Sequence, residues 1–449
     1  MNIIIAGCGN IGTSVLESLV TEGHNVTVID KDPKIIETAS TAFDTMGVVG
    51  NAADSDALQE AGIGTCDLFV SVTGSDEFNM LSCYLAKRLG AAHTIARIRA
   101  PEYNDHSLTF MRNELELDMS INPEMQSAME LFNILKLPGA LNIETFANRR
   151  MEMVEIPIKD DIQFTLTELR KKINQDFLIC AIERDGNVII PDGRSVIRKG
   201  DRIRLTASPF TIQKLLKHFG IETKQAKNVM IIGASQTSYY LAKMLLNSGH
   251  NVKIVERDAE KCLKFSEQLP KAVVINGDGL DQDLLTEEGI LSMDSFISLT
   301  SSDEENILLS FFALSNCVRK VITTVSRPEL ASMAENLGLD SIVSPKKLIS
   351  DILTRYARAL DNSKGSNVEK LYKIIDGKAE ALEFNVKKDF EGLNLPIKEL
   401  KLKKNVLIAG IIRGRQGIIP TGDDCFKAND KVIIIAAGIK MNDLSDIFA

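Results

Sequence analysis

A strand-like run, Ile3-Ile4-Ile5-Ala6, leads directly into Gly7-Cys8-Gly9-Asn10-Ile11-Gly12 and then into an amphipathic stretch. Glycines at this G-x-G-x-x-G spacing, between a strand and a helix, suit a bound phosphate. The first permits a tight turn, the second lets the backbone approach a pyrophosphate, and the third lets helix pack on strand. The helix start then offers free N–H groups and a partial positive charge. Asp30 lies 18 residues beyond Gly12, at the end of the next strand, where a carboxylate accepts hydrogen bonds from ribose hydroxyls. Charge repulsion at Asp30 disfavours a 2′-phosphate, so NAD(H) fits better than NADP(H), while ATP and ADP carry the same free hydroxyls and stay open. The ends of neighbouring strands supply further candidates. Gly50 and Asn51 would edge an adenine, and Thr73 and Gly74 the phosphates or distal ribose. Arg97 would meet a phosphate or, alternatively, form a surface ion pair.

A dehydrogenase needs an acid or base beside the nicotinamide, and none can be assembled. Two of the five histidines, His24 and His250, fall at matching turns, which points to structure. The seven cysteines are scattered with no C-x-x-C spacing and read as reduced, mostly core residues. Cys8 is expected to turn away from the ligand. The chain therefore reads as a binder and not as an enzyme.

These residues recur. At an offset of 226 residues Gly7 meets Gly233, Gly23-His24-Asn25-Val26 meets Gly249-His250-Asn251-Val252, and Asp30 meets Glu256. At 227, Gly50, Thr73, Asp76-Glu77 and Asn79 meet Gly277, Thr300, Asp303-Glu304 and Asn306. At 229, Pro191, Gly193 and Asp201 meet Pro420, Gly422 and Asp430. The chain is thus two copies of one two-domain unit. The second phosphate loop, Gly233-Ala234-Ser235-Gln236-Thr237-Ser238, keeps only its first glycine, and a side chain at Ser235 crowds the pyrophosphate approach. Thr324 stands where Arg97 does. The second copy therefore reads either as a damaged nucleotide site or as a ligand-free structural unit.

The elements that must position these residues follow from the periodicity. In the first copy, β-branched runs at Ile3–Ala6, Val26–Asp30, Gly47–Gly50, Leu68–Thr73 and Thr94–Arg99 alternate with amphipathic helical stretches. The second copy repeats them at Val229–Ile232, Val252–Glu256, Val273–Gly277, Ser295–Thr300 and Val321–Val325. This pattern predicts a doubly wound parallel α/β sheet in each copy. Asn122-Pro123-Glu124 and Ser344-Pro345-Lys346 are helix starts, each opening a helix that crosses to a small domain. The small domains read as α+β and strand-rich, with turns at Asp185-Gly186 and Arg413-Gly414. Asn362 to Asn367 reads as a flexible joint. The expected domains are Rossmann-like at 1–122 and 226–344, and small at 140–222 and 368–449.

A length of 449 residues suggests about three domains, which the repeat raises to four. The net charge of −9, with no Trp and six Tyr, supplies neither a basic face nor stacking platforms, so nucleic acid is not an expected partner. Apolar runs such as Val432–Ile439 fall far short of the roughly 20 residues that span a bilayer. The strand-like start leaves no room for a signal peptide. A cytosolic protein that meets the membrane through a partner is the expectation.

The combination of Gly7, Gly9, Gly12 and Asp30 with Val72-Thr73-x-x-Asp76-Glu77-x-Asn79, Ala96-Arg97-Ile98-Arg99-x-Pro101 and a small β-rich domain, all repeated, resembles the regulator-of-potassium-conductance (RCK or KTN) family. The resemblance covers essentially the whole chain, and the serine-substituted loop is the main departure. It implies a first site lined by Gly7, Cys8, Gly9, Asn10, Ile11, Asp30, Asn51, Thr73, Gly74 and Arg97. The second would comprise Gly233, Ala234, Ser235, Gln236, Thr237, Glu256, Asp278, Thr300 and Ser301. It further implies binding of NAD(H), and in several relatives of ATP or ADP. It also implies assembly into a ring, with a homo-tetramer as the expectation, beneath a membrane-embedded Trk-type potassium transporter subunit (TrkH or TrkG type) on the cytoplasmic face of the inner membrane. Relatives gate ion flux without catalysis. An NAD-dependent oxidoreductase and a scaffold with vestigial nucleotide sites are the competing classes.

Overall fold

The computed structural model describes the chain apart from residues 101–102, 104, 137–140, 147–150, 159–164, 174–175, 221–225, 364–367, 375–377 and 442. The first 136 residues alternate β1 (Asn2–Ala6), α1 (Asn10–Thr21), β2 (Asn25–Asp30), α2 (Pro33–Phe43), β3 (Met46–Val49), α3 (Ser55–Glu60), β4 (Leu68–Ser71), α4 (Asp76–Arg88), β5 (His93–Arg97), α5 (Asp105–Glu114), β6 (Met119–Ile121) and α6 (Pro123–Lys136). A small domain follows, with β7 (Asn142–Phe146), β8 (Met151–Pro157), α7 (Leu166–Ile173), β9 (Phe177–Arg184), β10 (Asn187–Ile189), β11 (Arg202–Ala207) and α8 (Pro209–His218).

The second copy repeats the order as β12 (Asn228–Ile232), α9 (Gln236–Asn247), β13 (Asn251–Glu256), α10 (Ala259–Gln268), β14 (Val273–Asn276), α11 (Gln282–Glu287), β15 (Ser295–Ser298), α12 (Asp303–Ser315), β16 (Lys320–Thr324), α13 (Pro328–Asn336), β17 (Ile342–Val343) and α14 (Pro345–Ser363). Its small domain holds β18 (Val368–Ile374), β19 (Ala379–Asn385), β20 (Val406–Arg413), β21 (Gln416–Ile418) and β22 (Lys431–Ala437).

Each large domain is a six-stranded parallel sheet, ordered β3-β2-β1-β4-β5-β6 and β14-β13-β12-β15-β16-β17. The order reverses beside β1 and β12, which opens a crevice at the carboxyl ends of those strands. The strands are apolar on both faces, as Ile3, Ile5, Val28, Phe69 and Ile95 show by their burial, because helices cover both sides of a parallel sheet. The sixth strands, β6 and β17, were not among the sequence expectations. Each pairs at only three and two positions respectively and is too short for a periodic signal.

The small domains are antiparallel, ordered β10-β9-β11-β8-β7 and β18-β19-β22-β20-β21. The first hairpin turns at Asp185-Gly186 as expected. The second turns at Gly414-Arg415, one residue later than the expected Arg413-Gly414, with Arg413 still paired to Gln416. Of the joint expected over Asn362 to Asn367, residues 364–367 lie outside the described part, and Asn362 and Ser363 belong to the end of α14.

Compact units group domains by type, not by copy: one holds Met1–Phe132 with Lys227–Ala357, the other Asn133–Ala226 with Arg358–Ala449. In the first unit the two Rossmann-like domains interlock through their duplicated helices. The Tyr240 hydroxyl on α9 donates to the Arg99 carbonyl at 3.0 Å, and the Ser350 hydroxyl on α14 donates to the Ser14 carbonyl on α1 at 2.7 Å. Ser14 and Tyr240 occupy the same position in the two copies. In the second unit the two small sheets share one core, including Phe146, Met153, Cys180, Ala409 and Ile433. Small residues permit the close approach: a side chain on Gly410 would collide with Met151.

Candidate functional site

The first phosphate loop is built by three backbone decisions. Gly7 has φ +91°, in the left-handed region that favours glycine, and its amide donates to the Ile29 carbonyl at 2.8 Å. The Cys8 amide donates to Asp30 Oδ2 at 2.7 Å, which fastens the loop to the end of β2. Gly12 lies against the loop, where a Cβ would stand 2.0 Å from the Gly7 oxygen. Gly9 differs from both. Its φ of −71° suits any residue, and an added Cβ would meet nothing within 4 Å. Packing among the described residues makes no demand for glycine there. Gly9 is the N-cap of α1 and no side chain caps the helix, so the first-turn amides are left uncovered.

A cavity of about 1000 Å³ opens over this helix start. Gly7, Gly9, Asn10, Ile11, Asp30, Thr73, Gly74 and Arg97 all reach it, so the structure gathers eight of the expected residues in one place. Cys8, Gly12 and Asn51 do not line it. Cys8 turns into the core beside Thr13, and burial pushes its thiol pKa up. Asn51 Oδ1 instead accepts the Ala53 amide at 3.0 Å in a local turn, while Gly50 and Ala52 line the wall. Arg97 lines the cavity and pairs with Glu124 at 3.4 Å, an ion pair that is largely buried and not the surface pair expected as the alternative. Burial in this wall pulls the Arg97 guanidinium below its ordinary pKa.

A buried amide fixes the rim. Asn79 Oδ1 accepts the Thr73 amide at 2.9 Å and the Ser71 hydroxyl at 2.9 Å, and Nδ2 donates to the Arg97 carbonyl at 2.9 Å. One side chain thus holds the ends of β4 and β5 in register. Replacing Asn79 by alanine strands buried polar groups and is expected to lower stability by about 2–4 kcal/mol in denaturant unfolding. A loss below about 0.5 kcal/mol, the range of an ordinary surface substitution, would refute this role.

The second loop is arranged differently. Ser235 caps α9, its hydroxyl accepting the Ser238 amide at 3.1 Å, while Ser238 Oγ donates to the Gly233 carbonyl at 2.6 Å. The helix start is therefore covered by the chain's own hydroxyls. The cavity beside it measures about 190 Å³ and is lined by Gly233, Ala234, Ser235, Glu256, Asp278, Thr300 and Ser301, among others. Gln236 does not reach it, and Thr237 lines the first cavity instead. Glu256 repeats the loop-fastening bond, accepting the Ala234 amide at 2.6 Å. Thr324, at the Arg97 position, spends its hydroxyl on the Ser298 carbonyl at 2.8 Å.

Sequence comparison places this repeated arrangement. The TrkA-N domain matches residues 3–123 and 229–345, and the TrkA-C domain matches 153–220 and 382–449. This chain belongs to the TrkA family. The Trk system potassium uptake protein TrkA homolog of Archaeoglobus fulgidus is 30% identical over 451 residues, covering 100% of both chains. The Trk system potassium uptake protein TrkA of Haemophilus influenzae is 31% identical over 97% of this chain and 95% of its own. Among solved structures, the GsuK RCK domain superposes with a TM-score of 0.63 at 16% identity, over 97% of this chain and 92% of that one, so it shares the fold.

Several residues of this TrkA-family cavity were not legible in the sequence. Phe78 and Lys31 stand together on the wall, the ammonium 5.1 Å from the ring centroid. The second copy contributes Ser326, Pro345 and Lys346 to the first copy's cavity. No local motif signals that two domains share one pocket. Among the described residues, no cluster of His, Cys, Asp and Glu could hold a metal ion, and no helix is long and apolar enough to cross a membrane.

Proposed function

We propose that this chain is a nucleotide-sensing regulatory subunit whose first copy binds NAD(H), ATP or ADP and which gates a membrane-embedded Trk-type potassium transporter. The observation that carries the nucleotide half is Gly9: a glycine that no contact among the described residues requires, at an uncapped helix start over a cavity large enough for a dinucleotide, with Asp30 beside it. The potassium half rests on the relatives, which are named as potassium uptake proteins over full length. Structures of the GsuK channel, which shares the fold, are described as bound to NAD and to ADP.

On this reading the functional domains are 1–122, 140–222, 226–344 and 368–449. The chain works in the cytoplasm as a ring, a homo-tetramer, held at the inner face of the membrane by its transporter of the TrkH or TrkG type. It binds without turnover. Two nucleotides that differ in affinity for two arrangements of the ring would shift their populations. α6 and α14, each divided between the two compact units, are the hinges. The test is to exchange saturating NADH for ATP while recording the ring's shape by scattering and potassium flux through reconstituted transporter. Both should change. Unchanged shape and flux would end the gating proposal, and absence of binding by any of NADH, NAD, ATP and ADP would end the nucleotide proposal.

A further inference from the structure

The two cavities are not equivalent in what they draw on. Every lining residue of the second lies between Ile232 and Leu309, within its own domain. The first is completed from the second copy, by Thr237, Ser326, Pro345 and Lys346. Both domains belong to the same compact unit.

The charges around the first cavity are mostly accounted for. Arg97 faces Glu124 at 3.4 Å. Lys31 lies over Phe78, next to Asp30. The oxygens of Asp30 accept the Cys8 and Asp32 amides. Lys346 alone among the lining cations has neither an ion pair nor a ring contact within the described residues. Its own helix does not explain it. Lys346 is the second residue of α14, and the first turn of a helix favours anionic side chains over cationic ones. The corresponding residue of α6 is Glu124, which conforms to that rule. An ammonium in an unfavourable place, half-buried on the wall of a large cavity, is suited to an anion that enters from solution.

Resting on the nucleotide reading above, we propose that Lys346 of the second copy is a specificity residue for the first copy's site. It reads the terminal phosphate of a nucleoside di- or triphosphate. A nucleotide seated on the uncapped helix start with its ribose at Asp30 directs its other end along the cavity. ATP and ADP carry their charge out to a free terminal phosphate there, whereas a dinucleotide ends in a ribosyl base. An ammonium on the wall of that cavity favours the ligand that carries the free terminal phosphate. The second copy thereby takes part in sensing through its crossover helix, although its own phosphate loop is self-capped.

The test is calorimetric titration of the full-length protein with ATP, ADP and NADH, comparing wild type with Lys346→Ala, Lys346→Glu and Lys346→Arg. Lys346→Ala is expected to weaken ATP and ADP about tenfold or more, the scale of one charge-assisted hydrogen bond, and to leave NADH within about twofold. Lys346→Glu should weaken the two phosphates further, and Lys346→Arg should restore them. Equal losses for all three ligands, or no loss for any, would overturn the role of Lys346. Asp30→Ala serves as the reference: if wild type binds none of the ligands, or Asp30→Ala binds all three as wild type does, the nucleotide reading itself fails.

Discussion

Gly12→Ala is expected to abolish nucleotide binding by the first copy and to lower stability by about 1–3 kcal/mol, the usual cost of forcing a methyl into a filled space. The new Cβ would stand 2.0 Å from the Gly7 oxygen and 2.9 Å from the Gly7 carbon, both backbone atoms that cannot rotate away. To make room, either α1 slides along β1 or the Gly7 turn opens. The first would displace the helix start from the cavity, and the second would break the Cys8 amide bond to Asp30. The second copy shows what a side chain at this position entails. Ser238 occupies it, and its hydroxyl bonds the Gly233 carbonyl while its amide is capped by Ser235. Gly12→Ser should therefore bring the first loop toward that self-capped arrangement. Titration calorimetry with NADH and ATP, alongside thermal unfolding, checks both parts. Wild-type affinity in Gly12→Ala would show that the loop's geometry does not govern binding.

What the sequence made legible follows the range over which its signals act. The strand, turn and helix of each phosphate loop are local, and the expected strands agree with β1 to β5 and β12 to β16 to within one or two residues at each end. The ends of those strands are sharper than propensity can tell. Asn79 and Asn306 fix the segments after β4 and β15 by accepting the Thr73 and Thr300 amides at 2.9 Å, so the pairing stops at Ser71 and Ser298. Edge strands β6 and β17 leave no signal in the sequence, because three and two paired residues have no period to detect.

At the site, residues set by the glycine loop or by strand ends were legible, whereas Phe78, Lys31 and the residues that the second copy brings in carry no local signal. Asn51 lies next to a lining residue, but its side chain satisfies the Ala53 amide. Thr237 was assigned to its own domain's site by position, yet α9 presents it to the neighbouring cavity. Lys346 was visible as the partner of Glu124 in the repeat, but its role depends on how the two Rossmann-like domains interlock through Tyr240 and Ser350. That is a tertiary fact, for which a single sequence carries no period or spacing.

The comparison of Asp30→Ala with Glu256→Ala separates one working site from two. Both carboxylates fasten a loop, Asp30 through the Cys8 amide at 2.7 Å and Glu256 through the Ala234 amide at 2.6 Å. Both variants should therefore loosen their own domain, and stability alone cannot distinguish them. The difference lies in what else each carboxylate can reach. Every carboxylate oxygen has lone pairs beyond the one given to a backbone amide, and Asp30 faces a cavity of about 1000 Å³, against about 190 Å³ at Glu256. Asp30→Ala is expected to remove charge-assisted bonds to ribose on the order of 1.5–3 kcal/mol each, or roughly 10- to 150-fold in Kd per bond. Glu256→Ala is expected to leave the titration with NADH, NAD, ATP and ADP unchanged, because the helix start beside it is already covered by Ser235. Asp30→Asn, which keeps one acceptor oxygen for the Cys8 amide, separates loss of the ribose contact from collapse of the loop. Should each alanine variant instead remove its own component of the binding isotherm, the Ser235 cap must open on binding, and both copies would be sensors.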